Sequence, residues 1–202
     1  MAYKRWIVVL ILALGVAWWY WSGRPIEHPP GVIVQDAPLQ GEATRTEPWT
    51  LVDYTFESLG EIALDARVLS KKRYRMDRES VISPYDLALG WGRMSDQAVL
   101  DRLDISQGSR WFRWRWYNSS PLPEKEIIAS ASNFHIIPGN DAVRDALGRI
   151  RTGHIITLRG ELVRVTDPEG WSWVSSTSRT DTGKGACELV WVEQLTIHPV
   201  PQ

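Results

Sequence analysis

The chain is nearly empty of cysteine. Among its 202 residues there is one, Cys187, so no intrachain disulfide can form and no Cys/His zinc spacing exists. It also lacks a charge bias. Lys and Arg number 23 against 24 Asp and Glu, a formal net charge of -1, and neither end carries a run of one sign. A wholesale polyanion binder is as a rule clearly basic, so nucleic acid is disfavoured as a partner and any positive patch has to be local. Calcium-loop spacing is missing as well, because Asp86, Asp96, Asp101 and Asp104 are scattered. The glycine-bearing stretch TDTGKGA, residues 180–186, lacks the order of a phosphate loop and reads as a hairpin turn. Nothing calls for a metal ion or a cofactor.

Long apolar runs are missing too, with one exception. Residues 6–21 are uncharged and apolar, and Lys4 and Arg5 precede them. Sixteen residues at about 1.5 Å each span roughly 24 Å, short of the ~30 Å hydrocarbon core. Trp6 at one end and Trp18, Trp19, Tyr20 and Trp21 at the other suit the two interfacial belts. We therefore expect a cytoplasmic N-terminus at 1–5, a transmembrane helix at 6–22 in contact with the lipid bilayer, a Pro-rich linker at 23–48, and an extracytoplasmic β-rich domain at 49–202. The basic pair ahead of the helix sets that orientation. The rival reading is a cleaved signal peptide ending at Gly15-Val16-Ala17, which would leave WWYW as an exposed new N-terminus. In the linker, Pro25, Pro29, Pro30, Pro38 and Pro48 block helix and favour an extended tether. Residues 31–34, GVIV, are the one stretch able to add an edge strand.

Beyond Trp49 the hydrophobic period is mostly two. WTLVDYTF (49–56), EIALDARVL (61–69), IITLRGELVRV (155–165), WSWVSS (171–176) and CELVWVEQL (187–195) read as strands. Ile62, Leu64, Ala66 and Val68 share one face. The alternation slips near Gly160, where a bulge would re-register it. Two short helices interrupt the strands. Ser95 is placed to cap DQAVLDRL, and Asn140 to cap DAVRDALGRIR, where Val143, Leu147 and Ile150 form a stripe and Gly153 supplies the stop. This order predicts a mainly β (α+β) fold: a small, partly open, OB-like β-barrel with two short helices. Residues 83–92 carry no assignment, since Pro84 and the glycines interrupt the pattern.

SRWFRWRWYN, residues 109–118, is the densest aromatic stretch of the expected domain. As a strand it sends Phe112, Trp114 and Trp116 to one face and Trp111, Arg113, Arg115 and Tyr117 to the other. The first set reads as core. The second reads as a solvated face, as a protein-binding surface of the residue types common at hot spots, or as a site for an anionic ligand: a cell-wall polymer, a lipid headgroup or, least favoured, single-stranded nucleic acid.

Nucleophilic chemistry has few candidates. Cys187 opens a strand in GACELVWVE. L,D-transpeptidases carry a Ser/His-Gly-Cys-Arg stretch, and Gly185-Ala186-Cys187-Glu188 does not match it. A small buried residue is the plainer reading of Cys187. His135 and Asn133 stand in SASNFHIIPGN, ahead of a Pro-Gly turn. His135 has the chemistry of a general base, and its plainer reading is a hydrogen-bonded structural histidine.

SPYDLALGWGRMSDQAVLDRLDISQ (83–107), SNFHIIPGN (132–140) and SRTDTGKGACELVWVEQL (178–195) resemble stretches in uncharacterised bacterial single-pass membrane-anchored proteins with no assigned activity. That resemblance implies a bacterial envelope setting and carries over no catalytic residue; with the apolar run and the basic pair ahead of it, the expected place is the inner membrane with the domain in the periplasm. The expectation is a non-catalytic binding or interaction module that uses Trp111, Arg113, Arg115 and Tyr117 to engage a protein or an envelope component. The alternatives are an envelope hydrolase or transferase using His135 with Asn133 or Cys187, and a structural subunit of a membrane complex.

Overall fold

The computed structural model describes residues 23–178, 183 and 186–200, together with Trp6, Ile7, Leu10 and Gly15, which are helical. The rest of the expected membrane span lies outside the described residues. Among the described residues no helix is long and apolar enough to cross a membrane.

In chain order the elements are β1 (Leu39–Gln40), β2 (Trp49–Leu51), β3 (Tyr54–Arg73), β4 (Tyr85–Gly90), α1 (Gln97–Leu100), β5 (Asp104–Gly108), β6 (Trp111–Arg115), α2 (Glu124–Ser130), β7 (Ala131–Pro138), α3 (Asp141–Arg149), β8 (Ile155–Thr166), β9 (Ser172–Val174) and β10 (Glu188–Ile197). The fold is mainly β, of α+β type. Its large sheet runs β1-β3-β4-β7-β10-β8-β9, and β3 also pairs with β8. The 20-residue β3 makes this possible. Its first part, from Thr55 to Arg67, pairs with β8, and its last part, from Arg67 to Arg73, pairs with β4. Register shifts at Ser58/Gly60 and Val68/Ser70 add bend and twist. The sheet is thereby partly ringed. Neighbours along it are antiparallel except β7 and β10, which are parallel.

The alternation read in β3 holds. Ile62, Leu64, Ala66 and Val68 all point into the ring and meet Leu87 and Leu89 of β4, Phe134 and Ile136 of β7, and Val190 and Val192 of β10. Helix α3 packs on the same cluster through Val143 and Leu147, with Ile150 just beyond it. Each such side chain contributes on the order of 1.5–3 kcal/mol by leaving water. Asn140 caps α3 by accepting from the Val143 amide at 3.0 Å. At Gly153 φ is +91°, and a Cβ there would stand 2.0 Å from the Ile26 carbonyl oxygen. Glycine is thus needed both for the turn after α3 and for the close approach of the N-terminal segment.

Several local expectations change. The cap of α1 is Asp96, which accepts from the Ala98 amide, one residue beyond the expected Ser95. Ser95 is buried and its hydroxyl accepts from the amides of Ile33 and Val34. That bond explains the linker. Residues 31–34 form no strand, yet the segment is no free tether: Ile26 and Val34 are buried and Leu39–Gln40 pairs with β3. A third helix, α2, starts at PEKE, where Glu124 and Glu126 stand in the first turn as the helix dipole favours. The bulge near Gly160 is real, but the extra residue, Glu193, belongs to the facing strand β10. The unassigned stretch 83–92 contains β4, every residue of which is buried.

Strand β6 ends at Arg115, so Trp116 lies beyond it and is exposed. Phe112 and Trp114 only border a core cluster of Leu69, Met94, Val99 and Ile127. β6 pairs with β5 in a separate two-stranded hairpin, whose second face has no sheet behind it. The tryptophans instead gather elsewhere. Trp49, Trp171, Trp173 and Trp191 pack with Phe56, Val163, Val165 and Leu189.

Candidate functional site

Strands β4, β7 and β10 have one apolar face inside the ring. Their other faces are covered too, by the two apolar clusters just described. Between those clusters lies a polar island, and strand register builds it. Asp86 of β4 is directly opposite His135 of β7. In the parallel pairing Glu188 is opposite Phe134, which brings Cys187, one residue earlier, beside Asn133. Side chains alternate across a strand, so Asp86, Asn133, His135 and Cys187 all project to the same outer face.

The contacts follow from that placement. His135 Nδ1 lies 2.9 Å from Asp86 Oδ1. His135 is also in hydrogen-bond and charge contact with Cys187. With Nδ1 engaged by the carboxylate, Nε2 is the ring nitrogen left for the thiol. Asn133 Nδ2 reaches Asp86 Oδ2 at 3.4 Å, the Arg110 carbonyl at 3.3 Å and Cys187 Sγ at 3.9 Å. Gln107 Nε2 donates to Asn133 Oδ1 at 2.7 Å, which fixes the amide's orientation. The Trp173 ring packs on the imidazole with centroids 4.8 Å apart.

Asp86 is almost wholly buried, with 1% of its side chain exposed. A carboxylate so placed must be paired. Arg110 supplies the second partner: Nη1 donates to Asp86 Oδ1 at 2.8 Å and to the Ser83 carbonyl at 2.9 Å. Its Nε and Nη2 hold the two oxygens of Asp77 at 2.8 and 3.0 Å, a bidentate fork. The guanidinium stacks 3.9 Å over the Tyr74 ring.

Burial works against charge on His135, but the Asp86 bond and the Cys187 contact outweigh it, and the imidazole pKa is pushed up to about 9. The ring therefore holds its proton at neutral pH. Burial opposes the Arg110 charge in the same way, and Asp77 and Asp86 more than restore it. Burial also pushes the Asp77 carboxyl up, and the Arg110 fork brings it below its ordinary value. Desolvation, with the nearby Asp86 and Asp77 charges, pushes the Tyr74 phenol up against the opposing pull of Arg110.

Cys187 opens onto a cleft of about 180 Å³, lined by Trp91, Trp111, Phe112, Trp114, Ile128 and Ala131, together with Ser132, Asn133, Gly183 and Ala186. The described residues hold no group of three or more His, Cys, Asp and Glu able to bind a metal ion.

The structure thus brings together Cys187, His135 and Asn133. Reading Cys187 simply as a small buried residue is corrected, since it is half-buried and borders the cleft. Of the four residues expected to bind, only Trp111 lines that cleft. Arg113 turns to the Gly108 carbonyl at 3.1 Å, and Arg115 pairs with Asp104 at 2.7 Å while 78% exposed. Tyr117 is 88% exposed and lies past the strand. Sequence reasoning missed Asp86 and Arg110 as members of the site. A signal existed for Asp86: it is an acidic residue inside YDLALG, a strand otherwise free of charge.

Comparison with protein-family models finds no match, and no curated protein and no solved structure matches the chain.

Proposed function

We propose that this chain is a thiol-dependent hydrolase or acyl transferase of the bacterial cell envelope, held at the inner membrane by residues 6–22 with its domain in the periplasm. The observation that carries the chemistry is the convergence of Cys187, His135 and Asp86 from three neighbouring strands. The order is that of a nucleophile, a base and a group that orients the base. The setting rests on the apolar N-terminal run and on the resemblance described above. The strand order β3-β4-β7-β10-β8, with α3 joining β7 to β8 in the chain, supports an OB-like reading of the ring. In OB folds the face of the second and third strands takes ligands, and Asp86, Asn133 and His135 stand on that face here. This is an analogy of architecture and assigns no chemistry by itself.

In the proposed reaction the Cys187 proton already rests on His135 Nε2 in the imidazolium, and Sγ, as the thiolate, bonds to the carbonyl carbon of an acyl donor. Asp86 stabilises that imidazolium, in keeping with the raised His135 pKa. Asn133 Nδ2 is the donor for the carbonyl oxygen. Collapse of the tetrahedral species breaks the bond to the leaving amine, alcohol or thiol, which takes the proton from His135. Water or a second acceptor then attacks the thioester and gives its proton to His135, and collapse releases the acyl product and Cys187 as the thiolate beside the restored imidazolium.

The test is to incubate the full-length protein with a panel of thioesters and activated esters and to read intact mass. An acyl adduct on Cys187, absent from Cys187→Ala, supports the reading. No adduct with any donor, together with a Cys187 reactivity no greater than that of free cysteine, overturns it.

A second reading rests on the β5–β6 hairpin, where Arg113, Arg115 and Tyr117 stand in solvent. These side chains form the binding surface for a protein or envelope component. Crosslinking in intact cells tests it: a species captured by the wild type and lost in Arg113→Glu/Arg115→Glu supports a docking role, and identical captures remove it.

A further inference from the structure

We infer that the cleft beside Cys187 is the acyl-group subsite and that it selects a single aromatic ring or a compact branched apolar group over charged ones. This deepens the thiol reading above and rests on it.

Trp111, Phe112 and Trp114 come from β6, Trp91 from the turn after β4, and Ile128 from α2. Trp91 is 3% exposed and donates its indole N–H to the Ala129 carbonyl at 3.1 Å, so the back of the cleft is fixed. Phe112 and Trp114 are held against each other, with ring centroids 5.2 Å apart, and border the apolar cluster around Met94 and Ile127. Trp111 forms the accessible rim at 38% exposure.

The chemistry of the lining comes next. Besides Cys187 itself, none of the described residues bordering the cleft carries an ionisable side chain. A carboxylate or ammonium entering there would lose hydration and find no opposite charge among the described lining residues. An aromatic ring or branched alkyl group loses nothing and gains contact with four aromatic side chains. The Asn133 side-chain amide lies 3.9 Å from the thiol, where the carbonyl of an acyl donor must sit.

Size completes the selection. An apolar cavity of about 150 Å³ accepts a benzene ring. The cleft, at about 180 Å³, is therefore matched to one ring or a short branched chain.

Alkylation of Cys187 reads this out without needing the natural substrate. The probes are chloroacetamide, N-benzyl-chloroacetamide and N-(carboxymethyl)-chloroacetamide, each rate being divided by its rate with free cysteine. Burying the ring in the cleft corresponds to roughly tenfold or more. We expect the benzyl probe to exceed chloroacetamide by that factor, the carboxymethyl probe to fall below it, and the benzyl preference to shrink in Trp111→Ala. If Cys187 is activated toward chloroacetamide but shows no benzyl preference, the subsite inference fails and the thiol reading stands. If no probe reacts faster than with free cysteine, the thiol reading fails and the subsite inference with it.

Discussion

Arg110 and Arg115 occupy the same small hairpin, five residues apart, in opposite physical settings. The Arg110 side chain is 14% exposed and joins Asp77, Asp86 and the Ser83 carbonyl while stacking on Tyr74. Arg115 is 78% exposed and has Asp104 as its partner, and Arg113, between them, bonds only its own hairpin. The backbone differs as well. Gly108 pairs with Trp111, so Ser109 and Arg110 form a two-residue turn, with φ values of 52° and 65°. Such turns favour Asn-Gly, because both positions need positive φ. Without glycine each costs on the order of 1 kcal/mol or more. The turn persists because the guanidinium is tied down on four sides. Arg110 thus fixes the hairpin against the ring and holds the carboxylate that orients His135. Arg113 and Arg115 do neither.

That contrast yields measurable differences. The largest concerns chemistry: Cys187→Ala should lower thiol-dependent turnover by roughly 10³-fold or more, and Asp86→Asn by roughly 10²-fold or more, since the imidazole loses its orienting charge. Arg113→Ala should leave the rate near wild type, as steady-state assays of the three variants will show. The next is stability. Arg110→Met strands two carboxylates and should cost about 3–5 kcal/mol in urea unfolding. Arg115→Met should stay within about 0.5 kcal/mol; equal losses from both would erase the contrast.

The third concerns pH. His135 has its pKa raised from 6.5 to about 9. Its contribution to stability is therefore fully present below about pH 6.5 and is lost as pH rises through about 9, a change on the order of 3 kcal/mol. Groups facing the ring are Asp86 on β4, Cys187 ahead of β10 and, through Asp86, Arg110 from the hairpin turn. Denaturation at pH 6, 7.5 and 9 should show the decline in wild type and a flatter profile in His135→Gln. The smallest effect is away from the site: Asp96→Ala removes the cap of α1 and should cost about 1 kcal/mol.

How much of this was legible in the sequence varies by region. The inward face of β3 and the cap and stripe of α3 follow from local periodicity, so 61–69 and 140–150 could be read directly. β4 could not, because a strand covered on both faces shows no alternation. The site was legible only in part. His135, Asn133 and Cys187 could be named from residue type, but nothing local says that they meet. Asp86 and His135 are 49 positions apart, and only the β4–β7 register makes them neighbours. Arg110 was hidden by its setting: among the aromatics of SRWFRWRWYN it looks like one more surface arginine, and its role depends on a turn that no residue preference announces. The same aromatics drew attention to Arg113 and Arg115, whose alternation is real but whose strand belongs to a hairpin outside the main sheet.

The measurement that tests the central claim most directly is the pH dependence of Cys187 alkylation by iodoacetamide, in wild type and in His135→Gln. Cys187 is the only cysteine, so the labelling reports one site. If His135 and Asp86 activate the thiol, the wild type reacts near pH 6–7 at least tenfold faster than free cysteine, and the variant loses that advantage. Two coincident profiles, both following free cysteine, would contradict the account and leave Cys187 as an ordinary side chain beside a structural histidine.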